Sequence, residues 1–328
     1  MSIQQAIASA ATILAPYVRQ TPLEFSPSLS AMTGVNVYLK LENFQVTGSF
    51  KARGAIHRLC TLSDKQRDRG VVTASSGNHG AGVAYGSQRL NVNSIVFVPE
   101  NTPPAKLAGI ERYGATVKRF GDDCVLTEQE ARRYGEETGR VYISPYNDHD
   151  VMVGQGSIGV EIASQWQTIG HPQPPTPYPD AVFIALGGGG LISGVGSYLK
   201  SRESQIKIVA CSPANSPAMH ACLEAGAIID VACADTLSDS TAGGVEQGSL
   251  TFPICQQVID QSILVTEAEI REAMHCFIAD HHMMIEGAAG VAVAALLKTK
   301  ADYVDKHVVI VICGANIGLN KLNAVLSE

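Results

Sequence analysis

Nowhere does this chain run apolar without interruption for the ~20 residues that a bilayer-crossing helix needs. Its opening stretch, MSIQQAIASAATILAPYVRQ, has no basic segment ahead of the apolar residues, so it does not read as a secretory leader. These absences predict a cytoplasmic protein with no membrane partner. A basic surplus is missing too: 24 Lys and Arg stand against 31 Asp and Glu, a formal net charge of -7. A phosphate backbone is held by clustered Lys and Arg rather than by a mildly acidic surface, so nucleic acid is not an expected partner. The eight cysteines form no CxxC pair and no dense secreted spacing, which predicts reduced, mostly buried thiols. The even interval between Cys211, Cys222 and Cys233 lacks the close ligand pairs of a structural zinc site. Internal repeats, low-complexity tracts and blocks of like charge are also absent.

What is present is apolar: 45% hydrophobic residues against 17% charged, over 328 residues, predicts a compact enzyme with two domains or one large unit. Short β-branched runs at 35–40, 70–75, 93–100, 115–120, 181–186, 207–212 and 307–313 alternate with helical patterns near 77–90, 104–113, 125–138, 153–166 and 191–202. Nearly all the short runs are apolar throughout. That pattern predicts parallel sheets covered on both faces, because a one-sided antiparallel sheet alternates apolar with polar. The expected class is α/β. The proline-rich run HPQPPTPYPD (171–180) reads as a surface connection.

Three segments carry chemistry. The first is GGGGLISG, Gly187 to Gly194, between a strand and a helix. Backbone N–H groups can converge there on an anion at the positive end of the helix, although a ligand-free tight turn uses the same residues. It matches neither GxGxxG, since the sixth residue counted from Gly187 is Ile192, nor the phosphate loop that ends in Lys and Ser or Thr. The second, KLENFQVTGSFKARGA, places Lys51 at a helix start that Ser49 is expected to cap. Lys51 is either an ordinary solvated residue or a desolvated amine, beside an aromatic ring, suited to Schiff-base chemistry. The third, VVTASSGNHGAGVAYG (71–86), runs through Ser75, Ser76, Gly77, Asn78 and His79 into a helix; it fits a carboxylate at a helix N-terminus or a plain capping turn equally.

Taken together and in this order, with TPLEFSPSLS, VGQGSIGVEI and CGANIG, these segments resemble the fold-type II pyridoxal-phosphate enzymes, specifically the threonine/serine dehydratase and serine racemase family. The resemblance covers nearly the whole chain. It implies a two-domain α/β fold like the tryptophan synthase β chain, with a large cofactor-binding domain from 1–65 and 151–328 and a small substrate-loop domain from 66–150. It further implies pyridoxal 5'-phosphate as cofactor, held by Lys51 through a Schiff base. Phe50 would pack on the cofactor ring, Asn78 would bond its phenolic oxygen, and Gly187, Gly188, Gly189, Gly190 and the backbone of Leu191 would hold its phosphate. Cys313 would face the pyridine nitrogen, where Ser or Thr is commoner; a neutral thiol leaves the ring a weaker electron sink than a carboxylate partner would. Ser75, Asn78 and His79 would grip the substrate carboxylate, with His79 packed or facing the carboxylate rather than serving as a general acid. The implied reaction removes water and then ammonia from a small β-hydroxy amino acid such as threonine or serine, with Lys51 also taking the α-proton. Assembly as a homodimer or dimer of dimers is likewise an expectation of the resemblance.

Ser76 stands where racemising members carry a serine able to return a proton from the face opposite lysine, so amino-acid racemisation is the alternative. Against it, SPANSPAM (212–219) has Ser212 and Ala218 where serine racemase has metal-binding carboxylates, and no metal is expected. Val46 replaces the proline common before TGSFK. A C-terminal regulatory domain, and feedback by isoleucine, are not expected. AMHACLEAG (218–226) and LSDSTAGGVEQGSLTF (237–252) resemble a dehydratase subgroup linked with hydroxyectoine breakdown, which points to a larger β-hydroxylated side chain.

Overall fold

Continuous apolar runs become the inner strands of two sheets. The computed structural model describes residues 1–169, 174 and 176–327. Its strands are β1 (Leu23–Phe25), β2 (Asn36–Lys40), β3 (Val71–Ala74), β4 (Ser94–Val98), β5 (Thr116–Arg119), β6 (Val141–Tyr142), β7 (Ala181–Ala185), β8 (Lys207–Pro213), β9 (Gln261–Val265) and β10 (His307–Val311). One sheet has the order β1-β2-β10-β7-β8-β9 and the other β5-β4-β3-β6. Every pairing is parallel except β1 with β2. All five residues of β7 are buried, as are four of five in β10, because helices cover both faces. The α/β expectation holds. The strands of the smaller sheet all fall between residues 71 and 142.

In the proline-rich run, residues 171–173 and 175 lie outside the described residues. Elements absent from the sequence reading include β1, β6 and β9 and the helices Ile3–Leu14, Glu267–His281 and Gly287–Thr299. The first two of these helices open with capping boxes, Ser2 with Gln5 and Thr266 with Glu269. The long helix also starts earlier than expected, at His149, where Asp148 caps it.

One expectation is corrected at the helix Lys51–Cys60. Its N-cap is Phe50, in helical backbone geometry and with no side-chain cap. Ser49 instead forms a β-bridge with Gly314. The extended strand end competes for the Ser49 backbone and wins, and the Ser49 hydroxyl is left buried with no hydrogen-bond partner among the described residues.

Two features fix this helix in the molecule. It meets the helix His149–Trp166 where glycine faces glycine: a Cβ built on Gly154 would lie 2.8 Å from the Cα of Gly54. Side chains would force the two helices apart. The second is a buried ionic cluster. The Arg53 guanidinium donates to Glu42 Oε1 and Oε2 at 2.7 and 2.8 Å and to Glu161 Oε1 and Oε2 at 2.7 and 2.9 Å. Lys40 Nζ reaches the same Glu161 at 2.5 Å and the Thr21 carbonyl at 2.7 Å. Arg53, Lys40 and Glu42 are all fully buried. The pairing keeps the Glu42 carboxyl below its usual range despite the burial that pushes it up. The cluster thereby clamps the helix that begins at Lys51 to the end of β2.

Candidate active site

Lys51 is the first residue of its helix, and the turn before it is tied to the end of β10. The Phe50 N–H donates to the Cys313 carbonyl at 3.1 Å, and the Ala315 N–H donates to the Gly48 carbonyl at 2.9 Å. Gly48 takes φ +76°, and a Cβ on it would strike the Asn316 amide at 2.7 Å. The Lys51 Nζ donates to the Pro145 carbonyl at 2.9 Å and lies 5.2 Å from the centroid of the Phe50 ring. Although the residue keeps partial exposure, its amine is desolvated enough to bring the pKa down to about 8; Glu286 and then Cys313 oppose that fall. Cys313 is 1% exposed, and burial holds its thiol well above the ordinary range, so it stays neutral.

The glycine loop follows β7 and opens the helix Gly190–Arg202. Its glycines are demanded by contact. A Cβ on Gly188 would sit 2.4 Å from the Tyr146 ring, one on Gly189 2.8 Å from the Cys255 Sγ, and one on Gly187 2.9 Å from the Thr241 Cα. Gly189 also adopts φ +85°. From behind, the Thr251 hydroxyl donates to the Gly188 carbonyl at 2.6 Å. Such a loop turns backbone N–H groups outward at the positive end of a helix, and Leu191, 5% exposed, anchors the first turn in the core.

The third segment leaves β3 through Ser75 and Ser76, both partly exposed, and enters the helix Asn78–Leu90. Asn78 Nδ2 donates to both oxygens of Glu286, at 3.1 and 2.9 Å, and Asn78 Oδ1 accepts from Asn316 Nδ2 at 2.7 Å. The Ser240 hydroxyl completes the set with 2.8 Å to Glu286 Oε1. Glu286 is 3% exposed and its pKa is raised, chiefly by burial, with the Asn78 and Ser240 bonds opposing. His79 is buried and neutral, its pKa brought down to about 3 by burial and then by the Lys51 charge, and its Nε2 bonds to the Ile143 carbonyl at 3.1 Å. Neutrality at that value removes it as an acid near pH 7.

Residues 14–314 match the profile of the family described as pyridoxal-phosphate dependent enzyme. The chain belongs to the pyridoxal-phosphate-dependent enzymes. It is 37% identical to an L-threonine ammonia-lyase of Thermotoga maritima over 95% of this chain and 75% of that one. Among solved structures it is similar to the processed form of threonine deaminase isoform 2 from Solanum lycopersicum, with a TM-score of 0.92 and 32% identity over 99% of this chain and 87% of that one. It is also similar to serine racemase from Dictyostelium discoideum, with a TM-score of 0.86 and 33% identity over 96% of this chain and 99% of that one.

The residues fit pyridoxal phosphate. A desolvated amine, a glycine cradle that any Cβ would fill, and buried polar atoms with no partner among the described residues, Ser49 Oγ, Thr47 Oγ1 and His79 Nδ1, line the elements that meet here. Lys51, Phe50 and Cys313 converge through the bridge to β10, and Asn78 joins them through Glu286. The amide of Asn78 is engaged at both ends, so a bond to a cofactor oxygen has to be shared with Glu286. Ser212 is buried with its hydroxyl on the Leu186 carbonyl at 3.2 Å, and no His, Cys, Asp or Glu cluster of metal-binding size occurs among the described residues. No helix among them is long and apolar enough to cross a membrane.

Sequence reasoning missed Glu286 and Tyr146. Glu286 had one local signal: it is the lone acid before GAAGVAVAALL, an uncharged run whose helix is buried over its first ten residues. Tyr146 had none, because its partners lie far away in sequence.

Proposed function

We propose that the protein is a pyridoxal-phosphate-dependent dehydratase that converts a β-hydroxy amino acid, such as L-threonine or L-serine, to a 2-oxo acid and ammonia. The carrying observation is the placement of residues 145 and 146. The Pro145 carbonyl holds the Lys51 amine, and the next residue lays its ring on Gly188, so one short segment joins the amine to the glycine cradle.

The bound cofactor supplies an electron sink that acidifies the substrate's α-C–H bond. Lys51 would hold the cofactor, and its Nζ is the group that would accept the α-proton. A pKa near 8 makes that amine a usable base near neutrality, where an ordinary lysine is almost wholly protonated. Gly187 to Gly190 and the Leu191 backbone would hold the phosphate, Phe50 would pack against the ring, and Cys313 would be its neutral partner at the ring nitrogen. Ser75, Asn78 and His79 orient the substrate carboxylate; His79 does so as a neutral, packed residue. The two parts of the larger unit, 1–65 and 151–328, carry the cofactor, and 66–150 carries the substrate loop. We place the enzyme in the cytoplasm as a homodimer or dimer of dimers, which light scattering on the purified protein tests.

Uptake of cofactor by the cofactor-free protein follows the Lys51 titration. The neutral amine is the reacting form, so the rate rises roughly tenfold per pH unit below the pKa and levels off above it. Stopped-flow measurement of the visible band should show that plateau beginning near pH 8. A rate still climbing steeply at pH 10 contradicts the desolvated amine.

Racemisation is the second reading, favoured by Ser76 in the turn before Asn78 and by the likeness to a serine racemase. Ser76→Ala separates the two: it should remove inversion of serine while leaving 2-oxo acid release within about threefold, since the opposite-face proton is needed only for inversion. Equal loss of both activities would tie Ser76 to the dehydration itself. A 2-oxo acid assay over both enantiomers of β-hydroxy amino acids, larger side chains included, tests the substrate class, and the absence of turnover across that panel removes the reading.

A further inference from the structure

The cover over the glycine loop is itself held by an outside residue. Glu246 Oε1 accepts from Arg132 Nη2 at 2.9 Å, and its Oε2 accepts from Asn147 Nδ2 at 2.7 Å. The Glu246 backbone N–H donates to the Tyr146 hydroxyl at 3.0 Å. Asn147 also returns to the same loop, accepting the Leu250 N–H at 2.9 Å. Arg132 belongs to the helix Cys124–Thr138, which packs on the smaller sheet, and lies over the Tyr142 ring at 4.3 Å. Residues 144–147 thus leave β6 and cross to the helix His149–Trp166 with both neighbours, 146 and 147, gripped by one carboxylate-bearing residue.

We propose that Glu246 is a positioning residue: braced by Arg132, it presses the Tyr146 ring onto Gly188 and so sets how well the glycine loop grips the cofactor phosphate. This rests on the reading of that loop as the phosphate site. The Tyr146 ring lies directly on Gly188, since a Cβ there would meet three of its ring atoms within 2.5 Å. The contact is close, so small rotations of Tyr146 change the space above the loop. Arg132 and Glu246 keep 39% and 28% side-chain exposure, which makes the brace a screened, adjustable one rather than a buried lock. Ser144, whose hydroxyl accepts the Asn147 N–H at 3.1 Å, limits the other end of the segment.

The test is a double-mutant cycle read as cofactor affinity, by titrating the cofactor-free protein with pyridoxal phosphate and following its visible band. Glu246→Gln should raise the dissociation constant about fivefold, the scale of one lost hydrogen bond. In a Tyr146→Ala background, where no ring remains to position, the same change should raise it less than about twofold. Tyr146→Phe, which keeps the ring and is expected to fold normally, should fall near the Glu246→Gln value by giving up the bond to the Glu246 N–H. An equal effect of Glu246→Gln in both backgrounds, or none in either, overturns the proposal. Gly188→Ala is the separate check on the loop: unchanged affinity there removes the phosphate reading itself, whereas a large loss with no coupling removes only the role of Glu246.

Discussion

Lys51→Ala should lose the visible absorbance of the bound cofactor and drop turnover by about 10⁴-fold or more, because the change deletes both the covalent anchor and the α-proton base. Everything around the residue makes the loss specific. The amine is held by the Pro145 carbonyl, its charge is disfavoured by desolvation, and the turn that presents it is bridged to Gly314. Lys51→Arg should be nearly as inactive: a guanidinium keeps its proton and cannot form the same covalent link. Added methylamine or ethylamine should restore part of the turnover of Lys51→Ala by supplying a base in the space left behind. Unchanged absorbance in Lys51→Ala, after removal of free cofactor, would mean that another amine carries it.

The second large effect is on stability. Arg53→Ala should destabilise the fold by roughly 3–5 kcal/mol, the cost of removing one partner from a buried pair and stranding the other. Glu42, which has no exposed surface, loses the two hydrogen bonds from Arg53 and keeps the Thr21 hydroxyl, 2.5 Å away. Arg53→Lys should recover only part of this, since an ammonium cannot span Glu42 and Glu161 as a planar fork does. Urea unfolding of the cofactor-free protein measures both. Acid should produce the same weakness in the parent: the Glu42 pKa is depressed, so its contribution is full above the unfolded carboxylate value and is lost as pH falls through the folded one. A midpoint for Arg53→Ala within error of the parent would show that the cluster contributes no net stability.

Much of this molecule is legible from residues because its strands are apolar on both faces. AVFIA and HVVIV need no alternation, and the glycines and prolines between elements mark the ends. β9 escaped because QSILV carries partly exposed residues at three of five positions and lies at the sheet edge. Local signals misled once, at Ser49, where a long-range bridge to Gly314 outweighed the capping propensity of serine. In the site, the divide is between chemistry that local sequence carries and chemistry that packing assembles. The four glycines stand out by type, and Lys51 becomes persuasive through its order along the chain with Ser76, the glycines and Cys313. Glu286, 208 residues from Asn78, and Tyr146, 100 residues from Glu246, enter only when the chain has folded. The desolvation of the Lys51 amine is likewise a property of the packed molecule, since the local sequence by itself favoured an ordinary solvated lysine.

The most direct test of the central claim is simultaneous measurement of ammonia, 2-oxo acid and serine enantiomers during turnover of L-serine and L-threonine by the cofactor-loaded protein. The account predicts ammonia and 2-oxo acid in equal amounts, formed faster than any inversion, from at least one of these substrates or a larger β-hydroxy relative. Inversion that outpaces 2-oxo acid release, or no ammonia from any of them, would contradict it.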